Sequence, residues 1–134
     1  MSRYCVPFTP FRGRVEEAIV CLVSTAGVRL GSDAPFQVDG DMTYRVIPGD
    51  ASGADLAFDD CHYDHACVGY DINCVFPIDR LRELASEKRV GGLTERHFSM
   101  GYTQALRDLR ETTVPALARE VDRERPDAVL LTGG

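Results

Sequence analysis

No run of apolar residues in this 134-residue chain approaches the roughly 18 that a membrane-spanning helix requires. The N-terminus, MSRYCVPFTPFRGR, lacks the continuous apolar core of a secretory leader. Five cysteines are an odd number and none is spaced as CxxC, so a complete disulfide framework is excluded and free thiols in a reducing cytoplasm are expected. Positive charge is also short: a formal net charge of -6 and a pI near 5.0 speak against nucleic acid or an acidic membrane as general partner. No GxSxG elbow surrounds Ser24, no nucleotide-binding fingerprint is present, and no internal repeat or low-complexity stretch occurs. A small molecule or a protein partner remains, on a chain long enough for one domain with a real core.

What is present reads as α/β. Residues 1–16, with Pro7, Pro10 and Gly13 among aromatics, form an irregular arm, and residues 17–134 form the domain. Ala18 to Thr25, AIVCLVST, is a short apolar run without alternation, suited to a strand covered on both faces. Tyr44 to Ile47 and Asp55 to Phe58 read as further short strands. From Pro77 the period changes, with Ile78, Leu81, Leu84 and Ala85 at helical spacing and a stop before Gly91-Gly92. A second helical pattern uses Leu106, Leu109, Val114, Leu117 and Val121; Pro115 predicts a kink or two abutting helices, with Thr113 as the second N-cap. Ala128 to Thr132 is another buried-strand run. Apolar strands separated by helices predict a single domain with a mainly parallel sheet flanked by helices, of Rossmann or flavodoxin-like type, with Ala18–Ser24 and Ala128–Thr132 as near neighbours.

Chemistry is concentrated between Asp59 and Leu81, which hold two of the three His, three of the five Cys and five Asp. Imidazole and thiol are the side chains that ligate metals or move protons near neutral pH. Asp60-x-His62-x-Asp64-His65 is one residue from the HxHxDH run of metallo-β-lactamase-like hydrolases. His62, Asp64 and His65 are therefore candidate ligands for Zn or Fe and candidate catalytic groups, together with the flanking Cys61 and Cys67. Equally, the two imidazoles can hold a loop by hydrogen bonding. Cys21 reads as core and Cys74 as packing. Asp71, Asn73 and Arg80 gather at a helix start, where free N–H groups and a guanidinium suit a substrate carboxylate; N-capping and a surface network are the alternative. Ser24, Thr25 and Gly27 fall beyond a strand's carboxyl end, where α/β folds place ligand loops.

In order, Ser24-Thr25-Ala26-Gly27-Val28, Gly40-Asp41, Tyr44-Arg45-x-Ile47-Pro48-Gly49-Asp50, His62-Tyr63-Asp64-His65, Asp71-Ile72-Asn73-x-x-Phe76-Pro77-Ile78-Asp79-Arg80-Leu81 and Val129-Leu130-Leu131-Thr132 resemble the selenoprotein B group of glycine, sarcosine, betaine and D-proline reductases. The shorter members, similar to the small D-proline reductase subunit, match best, and His97 lies in a family-like block, HFSMGY. The resemblance implies reductive cleavage of a carbon–nitrogen bond in a small amine or amino acid. Its nucleophile is a selenocysteine or cysteine paired with a nearby thiol. It adds His97 to Ser24, Thr25, Gly27, Asp71, Asn73 and Arg80 as candidate substrate-binding residues.

In that family the redox motif follows directly after the strand that here reads Ala128 to Thr132, and this sequence stops at Gly134. The expectation is a domain that lacks the family's nucleophile and does not turn over alone. Two other readings stand beside it. One is a metal-dependent enzyme or accessory domain built on His62, Asp64 and His65; the other is a non-catalytic subunit that works with a partner or as a homo-oligomer.

Overall fold

The computed structural model describes residues 9–59 and 62–133. The centre of the fold is β1 (Ile19–Ser24), which runs parallel to every strand beside it. On one side lies β7 (Ala128–Thr132), in register from Val20↔Ala128 to Ser24↔Thr132. On the other side β5 (Gly92–Leu93) pairs with the start of β1 and β6 (Arg96–Met100) with its end. β3 (Tyr44–Pro48) closes that side, antiparallel to β6. A separate antiparallel ribbon joins β2 (Val28–Leu30) to β4 (Leu56–Phe58). The mainly parallel sheet, and β1 and β7 as direct neighbours, agree with the sequence reading.

Side chains alternate across β1, so its two faces feed two cores. Val20 and Leu22 join Ile47, Phe76, Ile78 and Leu81 on the face covered by α1 (Ile78–Ser86). Cys21 and Val23 join Phe98, Met100 and Leu117 on the face covered by α3 (Thr113–Arg123). The unalternating run AIVCLVST therefore is a strand buried on both faces. α2 (Leu106–Glu111) abuts α3, as Pro115 required, since a proline lacks the N–H that would continue a longer helix. The residue at the junction is Thr112, not Thr113; the Thr113 hydroxyl instead donates to Met42 O at 2.6 Å.

β6 is marked in the sequence only by a short alternation, His97 and Ser99 with Phe98 and Met100, and not by an unbroken apolar run. His97 and Ser99 are nonetheless fully buried. His97 Nδ1 accepts the Leu22 N–H at 3.1 Å, and Ser99 Oγ accepts the Val28 N–H at 2.9 Å. Two polar side chains are tolerated inside because each satisfies a backbone donor that would otherwise be orphaned. β7 departs from expectation in the opposite sense. It reads as a buried run, yet Val129, Leu130 and Leu131 are exposed. No described helix is long and apolar enough to cross a membrane.

Candidate functional site

The carboxyl ends of β1 and β6 lie side by side, and beyond them the chain turns at Thr25-Ala26-Gly27 and at Gly101-Tyr102. Gly27 has φ +65, a backbone conformation that a Cβ disfavours. Its N–H donates to Met100 O at 2.9 Å and its carbonyl accepts the Asp59 N–H at 3.2 Å. One glycine thus ties the ends of β1 and β6 to the start of the His-rich loop. Asp59 is fixed a second time by a bidentate pair with Arg29, Nε to Oδ2 at 2.6 Å and Nη2 to Oδ1 at 3.1 Å, largely shielded from solvent. Burial works to raise the Asp59 pKa, but the Arg29 guanidinium and the Phe36 N–H outweigh it and hold the carboxyl below its ordinary value.

A cavity of about 330 Å3 opens at this edge, lined by Thr25, His62, Tyr63, Gly101, Tyr102 and Thr103 among others. The His62 imidazole stacks on the Tyr102 ring with centroids 3.5 Å apart and planes 17° from parallel. Tyr63 donates its hydroxyl to Ala26 O at 3.0 Å, and Gln104 Nε2 donates to the Tyr102 hydroxyl at 2.7 Å. The cavity offers aromatic faces, hydroxyls and one imidazole. Its volume is at the small end of the ~300–1,000 Å3 range of ligand pockets.

The other proposed site residues are distributed differently. His65 does not line this cavity; its ring meets Phe58 and Tyr63 edge-on at 4.9 and 4.8 Å. Asp64 accepts the Ala66 N–H at 2.9 Å, a local turn contact. Among the described residues no group of three or more His, Cys, Asp and Glu is placed to hold a metal, so the His62–Asp64–His65 triad is not assembled as ligands. The physical reason is that His62 turns onto Tyr102 while His65 packs between two aromatic rings. Cys61 and Asp60 lie outside the described residues. Cys67 and Cys74 are exposed free thiols, so Cys74 is not the packed residue the sequence suggested, and Cys21 is, as expected, a core thiol, its pKa raised by burial.

His97 does not line the cavity and is held inside the sheet by the Leu22 N–H; burial pushes its pKa down to about 4. Ser24 is equally internal: its hydroxyl donates to Val75 O at 3.0 Å and accepts the Ala26 N–H at 3.2 Å. Thr132 donates to the same Val75 carbonyl at 2.6 Å, so the ends of β1 and β7 clamp one loop. Asp71 and Asn73 are bound to each other and to the helix start. Asp71 Oδ1 accepts from Asn73 N and Nδ2, Asn73 Oδ1 accepts the Asp79 N–H, and Asp79 in turn accepts the Gly53 N–H. These Asn73 contacts hold the Asp71 carboxyl below its ordinary pKa. The capping alternative describes this network. Arg80 pairs with Glu83 at 2.9 Å and borders a different, wider groove of about 700 Å3.

Thr25 and His62 are thus the predicted residues that line the smaller cavity, while Asp71, Asn73 and Arg80 together line the wider groove. Tyr102 and Thr103 were missed as site residues. Their signal was positional: they follow β6 at the carboxyl edge, where α/β folds place ligand loops.

The structure is thus an α/β domain with a small cavity at the carboxyl edge of a mainly parallel sheet. No family model matches the chain and no solved structure matches it. The chain is 41% identical over 128 residues to the D-proline reductase subunit gamma of Acetoanaerobium sticklandii, a stretch covering 95% of this chain and 53% of that relative. It is therefore related to a reductase component along nearly its whole length, and spans about half the length of the curated relative it matches.

Proposed function

We propose that this chain is a component of a selenoprotein B-type reductase that cleaves a carbon–nitrogen bond in a small amine or amino acid. The observation that carries the reading is the 41% identity to D-proline reductase subunit gamma over 95% of the chain. The cavity at the carboxyl edge adds a place for the ligand, with Thr25 and Tyr102 offering hydroxyls and the His62–Tyr102 stack offering an aromatic wall. A Rossmann or flavodoxin-like winding of the sheet belongs to the same proposal. For a cyclic imino acid the reaction breaks one C–N bond and places a hydrogen on each former partner. Two electrons and two protons are consumed, supplied by oxidation of two thiols, or of a selenol and a thiol, to the bridged form.

Binding tests this directly. Titration calorimetry with D-proline, and with glycine, sarcosine and betaine as further probes, is expected to find one ligand bound at a single site. Tyr102→Ala is expected to weaken it by about tenfold or more, the loss of roughly 1.4 kcal/mol. Failure of all four to bind, or binding indifferent to Tyr102→Ala, removes the proposal.

A further inference from the structure

The cavity at the carboxyl edge has an uneven stock of polar groups. Among the described residues that line it none is Asp, Glu, Lys or Arg, and His62 is the one lining side chain able to carry charge near neutral pH. Its hydroxyls are weighted toward donation. Among the described residues Thr25 Oγ1 has no hydrogen-bond partner, Thr103 Oγ1 is engaged as the acceptor of the Ala105 N–H at 3.1 Å, and the Tyr102 hydroxyl as the acceptor of Gln104 Nε2 at 2.7 Å. Of the four lining hydroxyls, that of Tyr63 alone spends its hydrogen within the described protein, on Ala26 O. An imidazole adds at least one N–H in either protonation state.

The lining therefore presents donors, one of which can become cationic, and no fixed negative charge. A polar group seated there has to bring lone pairs, and a carboxylate brings several together with the complementary charge. An ammonium finds no counter-charge in this lining. The wider groove beside α1, where Arg80 was expected to meet a carboxylate, is the opposite case. Asp71 and Asp79 bring two carboxylates to its lining, and Arg80 is paired with Glu83 at 2.9 Å. Like charges disfavour a carboxylate ligand there.

We propose that the cavity selects a small monocarboxylate by its carboxylate end, that His62 is the residue that recognises this end, and that the ligand's amine is not recognised by charge. The inference rests on the proposed role of the cavity as the ligand site and deepens it, moving carboxylate recognition from Arg80 to His62.

Titration calorimetry of the full chain with three ligands of similar size tests each part. D-proline carries both ends, cyclopentanecarboxylate lacks the amine, and D-prolinamide replaces the carboxylate by a neutral amide. Cyclopentanecarboxylate is expected to bind within about threefold of D-proline, and D-prolinamide about tenfold or more weakly. In His62→Gln, D-proline is expected to fall to the affinity of D-prolinamide, while D-prolinamide itself changes by less than about twofold. A merely structural His62 would weaken both ligands alike, which overturns the assignment. D-prolinamide binding as tightly as D-proline, or cyclopentanecarboxylate failing where D-proline binds, overturns the inference and leaves the proposed function standing. Cyclopentanecarboxylate binding, and its amide not, where D-proline, glycine, sarcosine and betaine all fail supports the inference and removes the proposed function. Silence from every ligand removes both.

Discussion

His97 carries the sharpest consequence at the scale of a single residue. Its imidazole is fully buried and accepts a backbone N–H, so the folded state keeps it neutral, with a pKa lowered by burial to about 4 from 6.5. The unfolded chain binds this proton more readily than the folded one between those two values. The stability associated with neutral His97 is therefore complete above pH 6.5 and is lost as pH falls toward 4, by up to about 3 kcal/mol. Urea unfolding at pH 7.5, 5.5 and 4.5 is expected to show the decline, and His97→Gln to flatten it over that window. A wild-type protein equally stable at pH 7.5 and 4.5 would contradict this account. The same residue shows why polar identity misleads in a sequence. Imidazole reads as chemistry, yet here its first task is to replace a strand hydrogen bond.

Among the elements, the segment Asp71-Ile72-Asn73 leading into α1 is a joint made of side chains. Asn73 receives the Asp79 N–H at the helix start and donates to both Asp71 and Asp79, while Asp79 holds Gly53 of the preceding loop. Gly53 suits this closeness, since a Cβ there would stand 2.5 Å from Asp79 Oδ2 and displace that carboxylate. Replacing Asn73 by Ala strips three contacts, two of them between partly buried groups, and a destabilisation of about 1–3 kcal/mol is expected in urea unfolding at pH 7.5. Ligand affinity at the cavity is expected to change little, because Asn73 does not line it. Loss of binding with unchanged stability would instead make Asn73 a ligand contact.

For the molecule as a whole, binding and turnover are expected to separate. Among the described thiols Cys21 is buried, and Cys67 and Cys74 are exposed. Under the proposed function, the chain alone is expected to bind ligand yet to release no 5-aminovalerate from D-proline with dithiothreitol as reductant. Chromatography of the reaction mixture checks this. If product appears and disappears again in a variant with Cys61 and Cys67 both replaced by Ser, the His-rich loop holds the redox pair; if it survives that replacement, the dithiol argument fails.

The sequence by itself determined the class of fold, because an unalternating apolar run such as Ile19–Ser24 can be satisfied only by cover on two faces, and the helical spacing after Pro77 supplies one cover. It also marked the carboxyl-edge turn at Thr25 and the His-rich loop, since glycine, imidazole and short polar residues have local reasons to be there. Only the tertiary structure decided where His97 and Ser99 point, because their burial depends on backbone donors in β1 and at Val28, some 70 residues away in sequence. It separated His62 from His65, which sequence spacing had placed together, by giving each a different aromatic neighbour. Likewise it left β7 open to solvent although its residues are as apolar as those of β1. Burial is a property of what lies beside a strand, and composition carries no record of that.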